Sequence, residues 1–374
     1  MKSFSSSSAK VYTITTKSIT SVNKTKHSFQ WIYTYEYPLL AYCLVAFLVS
    51  WRYNLHINWY IFLDFKYDIQ LIKMAIPIML VYLTFMARRH GGSSIDQLKF
   101  FLSNITELST PAGIRSVLSM LFEFFRAVLA IKLCLVIYCH LKQEIPVLNP
   151  NLFDEALWRI DRWVHLGYSP VNLSLSVLST PWIALLIDKL YTLWYALKAP
   201  FLLYFILIAK SGQRIHFLTC YLLLWMIGGV FAIVFPSLGP VYTNPDLFES
   251  LNTPTAHKLQ LMLWEHYQQL LADPASYKMF IYEGIAAFPS LHVAMVVLFT
   301  LSVKEHKWVF RLMTFYSLSI QIGSVLLGWH YAVDGYFGAL LAIAIFSATK
   351  KFWPELKRES LSKRQLAYDQ HKTP

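Results

Sequence analysis

A chain of 374 residues that is 56% hydrophobic and 16% aromatic but only 14% charged has the composition of a polytopic membrane protein and excludes a large water-soluble domain. Its formal net charge of +12 flanks apolar runs and comes with no nucleic-acid motif, so the charge points to an anionic lipid leaflet and not to nucleic acid.

Residues 1–30 are rich in Ser, Thr and Lys and carry no acid, which reads as a disordered basic cytoplasmic tail. They lack the apolar h-region of a cleavable signal peptide, and a transit-like role is the alternative. Two additional spans fill 31–116: one over Trp31 to Trp51, and one over Leu71 to Met86, kinked at Pro77 and stopped by Arg88 and Arg89. Between them His56 to Phe65 has the Trp and Tyr content of an interfacial segment. A third span, Val117 to Cys139, carries Glu123 and Arg126 one turn apart, as a structural pair.

In the following loop, DEALWRIDR with Asp154, Asp161 and Arg162 predicts an amphipathic helix lying on the membrane surface. Spans from Trp182 to Ile208 and from His216 to Phe235 are joined by a tight basic turn, Lys210 to Arg214. FPSLGPVY, Phe235 to Tyr242, then marks a rigid exit turn. A polar loop from Thr243 to Ala286 contains a helical stretch near His257 to Leu271. The last three spans fall at Pro289 to Val303, Val309 to Leu327 and Tyr331 to Thr349, before a basic cytoplasmic tail at 350–374. The fold class is therefore all-α, with about eight transmembrane helices. Basic residues gather in alternate loops and both tails, which places the termini in the cytoplasm and the intervening loops outside. Cys43, Cys134, Cys139 and Cys220 all lie in predicted spans without Cys-x-x-Cys spacing, as packing residues do.

Two stretches place ionisable groups where an outer loop becomes an apolar helix, a costly arrangement that marks function. In the second, a helix opening near Trp329 sets His330 and Asp334 at i and i+4, so that the carboxylate reaches a ring nitrogen and the other nitrogen is aimed as a nucleophile or base. In the first, Pro289 suits the opening of a helix, and the N–H groups of Ser290, Leu291 and His292 with the Ser290 hydroxyl form a donor cluster for phosphate oxygens. His292 is then placed to protonate a leaving oxygen while His330 attacks phosphorus.

Pro289-Ser-Leu-His292 and His330-Tyr-Ala-Val-Asp-Gly335 resemble the second and third signature motifs of the type 2 phosphatidic acid phosphatase superfamily. AAFPSLHVAM, FPSLGP and DEALWRIDR are most similar to its branch containing inositol phosphorylceramide synthases and related bacterial proteins. The resemblance implies a catalytic core of about six helices over 117–349, working without a metal or cofactor. It gives the nucleophile's role to His330, the orienting role to Asp334 and the acid's role to His292. The substrate it implies is a lipid phosphate, diphosphate or phospholipid, with water or an alcohol as acceptor.

The chain departs from the family pattern at the first motif, K-x6-R-P, where only Lys189 and Lys198 stand before Ala199 and Pro200, and at Ser324, where the third motif has Arg. Lys198 is the candidate phosphate-binding cation, with Arg159, Arg162, Lys258 and Lys278 as alternatives. His140, His165, His257 and His266 lie in or beside outer loops without ligand spacing and are read as surface residues. The bacterial character of the resemblance points to an inner membrane with the site facing the periplasm, or else a lumen. Two non-enzymatic readings stand beside it: a relative that binds lipid phosphate without turnover, and a transporter, which would show repeats and broken helices in matching halves. Nothing in the sequence fixes the oligomeric state.

Overall fold

The structure, a computed structural model, describes residues 33–55, 73, 111–273 and 284–352. The basic tail at 1–30, the interfacial segment at 56–65, the expected second span at 71–86 apart from Lys73, and the tail beyond 352 lie outside the described residues. The regular structure of the described residues is helical. The longer helices are α1 (Glu36–Tyr53), α2 (Pro111–Gln143), α3 (Asp154–Val164), α4 (Pro170–Leu178), α5 (Pro181–Leu203), α6 (Ser211–Val234), α7 (Pro254–Ala272), α8 (Leu291–Ser302), α9 (Lys307–Leu326) and α10 (Ala332–Phe352).

Of the expected spans, the described residues supply four helical stretches long and apolar enough to cross a bilayer: Pro181–Ile208, Ser211–Val234, Lys307–Leu326 and Ala332–Lys351. The first runs past Pro200 and ends in a π-helical turn, Tyr204–Ile208. Their outward faces stay apolar, with Trp308 80% and Leu312 and Phe315 each 67% exposed along α9. A protein that faces lipid in this way is a polytopic membrane protein.

The expected sixth span is the central helix α8, whose twelve residues extend only about 18 Å at the α-helical rise. It is nevertheless buried almost throughout, with Ala294, Met295, Val296 and Phe299 at 0% exposure. Packed against α10, α9 and α6, it spends its apolar surface on neighbouring helices and not on lipid. One close backbone approach falls at Gly338 of α10, where a Cβ would collide with the Ser290 carbonyl oxygen. Gly338→Ala must push α8 and α10 apart at the histidine end, and we expect a loss of about 1–3 kcal/mol, read as a lowered unfolding midpoint in detergent.

On the other flank, Arg126 of α2 grips Glu36 of α1 with two bonds of 2.6 Å each. The doubly bonded partner is thus on another helix, with the Glu123 charge one turn away also acting on the guanidinium, and the pair ties α1 to the core. His140, expected at the surface, is buried between the same two helices, with Nε2 2.9 Å from the Ser50 hydroxyl.

The amphipathic helix α3 forms where expected, but its buried face is mixed, two carboxylates lying there beside Leu157. Asp154 and Asp161 are 6% and 2% exposed, whereas Trp163 and Leu166, just beyond its end, are 81% and 90% exposed. The two carboxylates lie seven residues apart, on one face. That face turns inward because the loops it meets present unpaired backbone N–H groups. Asp154 accepts from Leu238 N at 2.9 Å and Gly239 N at 2.8 Å, and Asp161 accepts from Ala332 N at 2.9 Å and Val333 N at 2.8 Å.

Candidate active site

Two loops meet above the N-termini of α8 and α10. The first is the Phe288-Pro-Ser290 entry to α8, and the second is Gly328 to Tyr331. The helix after the second loop starts at Ala332, not near Trp329, so His330 stands outside it while Asp334 occupies its first turn. The start is delayed because the Asp334 side chain reaches back to the Tyr331 N–H at 2.9 Å, and Asp161 takes the next two N–H groups.

This shift changes how the nucleophile candidate is held. His330 Nδ1 donates to the Ala287 carbonyl at 2.6 Å, and the nearest Asp334 oxygen, Oδ2, is 3.6 Å away. A carbonyl can only accept, so the bond puts the proton on Nδ1 and leaves the Nε2 lone pair available. Asp334 acts on the ring as a nearby charge and not as its direct hydrogen-bond partner. Its carboxylate is fully buried, and among the described residues its Oδ1 has no hydrogen-bond partner.

Ser290 is the N-cap of α8, so Pro289 lies before the cap and not in the first turn. The Ser290 hydroxyl accepts the Val293 N–H at 3.5 Å, and its own N–H donates to the Asp334 carbonyl at 3.0 Å. Of the expected donor cluster, the N–H groups of Leu291 and His292 remain at the open end of the helix. The backbone bond from Ser290 to Asp334 also locks the two motifs together.

The rings of His292 and His330 are brought to 6.3 Å between centroids. His292 is half-buried in an aromatic wall from α5, with Tyr191 at 5.3 Å, Tyr195 at 6.2 Å and Trp194 at 6.5 Å. Two lysines lie close enough for their charges to act on the His292 ring: Lys198 on α5 and Lys142 at the end of α2. Among the described residues neither is paired with a carboxylate. Lys189, by contrast, is exposed and donates to the Thr255 hydroxyl at 3.1 Å. Arg159, Arg162 and Lys258 are exposed, with Arg162 bonded to the Gly167 carbonyl at 3.2 Å, and Lys278 lies outside the described residues.

Lys142 escapes the sequence reading. It is an ordinary lysine ending a span, and only the fold lays its stem beside Gly284, at the head of the loop leading to Pro289. The loop anchors are equally hidden. Ser237 accepts the Phe288 N–H on its hydroxyl at 2.9 Å and the Ala287 N–H on its carbonyl at 2.8 Å, fixing the residue that holds His330. The available signal was the tetrapeptide Phe-Pro-Ser-Leu, which occurs at 235–238 and again at 288–291. The two copies lie side by side, with Phe235 and Phe288 at 5.8 Å.

Asp154 also accepts from the Tyr331 hydroxyl at 3.0 Å. Burial and that carboxylate push the Tyr331 phenol above its ordinary value, so it stays a donor. Burial likewise pushes the Asp161 carboxyl up, against the two backbone N–H groups and His165 that favour its charge.

No curated protein and no solved structure matches the chain. A family model described as the PAP2 superfamily matches residues 155–348, just over half of the chain. The matched stretch contains both histidine motifs, the Phe-Pro-Ser-Leu pair and all but the first residue of α3, and by this match over more than half of its length the chain belongs to the PAP2 superfamily, that of the type 2 phosphatidic acid phosphatases.

Proposed function

We propose that the protein is a lipid phosphatase or phosphotransferase that works through a phosphohistidine on His330. The observation that carries this reading is the 2.6 Å bond from His330 Nδ1 to the Ala287 carbonyl, which frees Nε2 on a ring 6.3 Å from that of His292. In the first step the Nε2 lone pair forms a bond to phosphorus, the bond from phosphorus to the leaving alcohol breaks, and protonated His292 gives that oxygen its proton. In the second, now neutral His292 takes a proton from the acceptor, whose oxygen attacks phosphorus and releases Nε2. Water as acceptor completes hydrolysis, and an alcohol completes transfer. The negative Asp334 carboxylate, 3.6 Å from Nδ1, favours the positive charge the ring acquires on bonding to phosphorus.

The phosphate oxygens would be met by Lys198, Lys142 and the first N–H groups of α8 at Leu291 and His292, with Ser290 shaping that helix end. The substrate, a lipid phosphate, diphosphate or phospholipid, would enter laterally from the bilayer. The similarity of AAFPSLHVAM and DEALWRIDR to the inositol phosphorylceramide synthase branch favours transfer of a phosphorylated headgroup. The catalytic core would occupy 117–349, with both tails in the cytoplasm and the site facing the periplasm of a bacterial inner membrane.

The test is release or transfer of phosphate from a panel of lipid phosphates and phospholipids by detergent-purified protein in the presence of chelator. Turnover that survives chelation and separates into water or alcohol products is expected. Dependence on an added divalent cation would sink the histidine mechanism, and binding of every lipid without turnover would favour a non-catalytic relative. Lys198→Met and Lys142→Met should each lower kcat/KM by about 10- to 100-fold, the worth of one charge-assisted hydrogen bond to phosphate. Steady-state kinetics on one lipid phosphate checks this.

A further inference from the structure

We infer that the end of the bundle opposite the histidines carries a second site, built to hold a phosphate-bearing anion. A cavity of about 100 Å³ lies there, bounded by the first turns of α6, the end of α8 and the end of α10, and lined by Gln213, His216, Lys304 and Lys350 with Phe217 and Phe346 as apolar wall. It is separate from the catalytic loops, because the roughly twenty residues of α10 between His330 and Lys350 rise about 30 Å.

Among the described residues two ammonium groups and an imidazole converge beside one carboxylate, Glu305, which leaves an excess of positive charge. Lys304 Nζ is held 5.2 Å from the Phe346 ring centroid, and Lys350, which also lines the cavity, is near enough for its charge to act on it. Both charges also act on His216 in the cavity wall. Two ammonium groups brought together repel each other, and among the described residues neither forms an ion pair with a carboxylate. Glu305 is the acidic residue lining the cavity. Burial and the Lys350 charge push Lys304 below its ordinary value, against the Glu305 charge that favours the ammonium form.

The third donor is the helix itself. The N-terminus of α6 begins at Ser211 with no side-chain cap and no acid in its first turn, and Gln213 of that turn faces the cavity. A helix start of this kind favours an anion. One phosphate has enough oxygens to meet two ammonium groups and helix N–H groups together, which a carboxylate has not. The site stands at the face where the Lys210–Arg214 and Lys304–Arg311 turns gather, which is where an anionic leaflet would lie. Its phenylalanine wall suits a lipid headgroup over a free ion.

The test uses full-length protein in zwitterionic detergent, with unfolding midpoints measured alone and with phosphatidylglycerol, phosphatidylcholine or inorganic phosphate. The natural protein is compared with the Lys304→Gln/Lys350→Gln double variant and with Lys307→Gln, which changes a neighbouring exposed lysine outside the cavity. Phosphatidylglycerol should raise the midpoint of the natural protein and of Lys307→Gln by a few degrees, and the double variant should lose at least half of that gain. An equal gain from inorganic phosphate, also lost in the double variant, would support the site and assign it to the soluble anion. A gain that the double variant keeps, or one that phosphatidylcholine matches, would overturn the proposal.

Discussion

His330→Ala should lose turnover by roughly three to six orders of magnitude, the range seen when a covalent nucleophile is removed. His292→Ala should lose about 10²- to 10⁴-fold, as expected for a general acid and base, and its loss should depend on the leaving group. With an aryl phosphate, whose leaving oxygen needs little protonation, the first step should proceed while the second lacks its base. Phosphoenzyme should therefore accumulate in His292→Ala, labelled by radioactive phosphate, stable to alkali and labile to acid, and should be absent in His330→Ala. Label of that kind in His330→Ala would remove the assignment of the nucleophile. The position of Asp334 sharpens the experiment. If a carboxylate fixed the tautomer, its amide variant would lose about 10⁴-fold, as in a Ser-His-Asp triad. Here the Ala287 carbonyl fixes it, at 2.6 Å. Asp334→Asn keeps an acceptor for the Tyr331 N–H and gives up only the charge, so a loss of about 10- to 100-fold is expected, in line with a partly screened interaction.

The same carbonyl shows where the sequence stops being readable. The apolar runs gave the helices of the core, and Pro289-Ser-Leu-His292 with His330-Tyr-Ala-Val-Asp-Gly335 gave the two histidines, because hydropathy and short spacings are local properties. A backbone acceptor leaves no such mark, since every residue has one, and only the packing of Ser237 against Phe288 and Ala287 selects which is used. Periodicity identified α3 as two-faced but not which face turns inward. An apolar stripe ordinarily seeks the interior, and in α3 two carboxylates join Leu157 there because loops 80 and more residues away in sequence bring them N–H groups. Lys142 is hidden for the same reason, as its approach to His292 depends on where α2 ends relative to α8.

Those two carboxylates carry the other large effect. Asp154→Ala would leave the N–H groups of Leu238 and Gly239 and the Tyr331 hydroxyl without their acceptor in a buried loop. Removing one side of a buried charged network costs about 3–5 kcal/mol, enough to deplete folded protein in the membrane. Tyr331→Phe removes two neutral-donor bonds, to Asp154 and to the Thr243 hydroxyl at 3.3 Å, but leaves the carboxylate its backbone partners, and should cost about 1–2 kcal/mol. A graded series of unfolding midpoints, with Tyr331→Phe near the natural protein, Asp154→Asn below it and Asp154→Ala lowest, is therefore expected. An Asp154→Ala protein as stable as Tyr331→Phe would show that the loops do not depend on this carboxylate. Asp161 differs, because burial raises its carboxyl while its oxygens cap the first N–H groups of α10. The folded chain holds that proton to higher pH than the unfolded chain does. Its contribution to stability is full below about pH 4, the unfolded value, and declines as pH rises through the folded one. Asp161→Asn, which keeps an acceptor without the charge, should accordingly be tolerated far better than Asp161→Ala. The alanine variant loosens the turn that aims His330, so its activity should fall further than its midpoint alone accounts for.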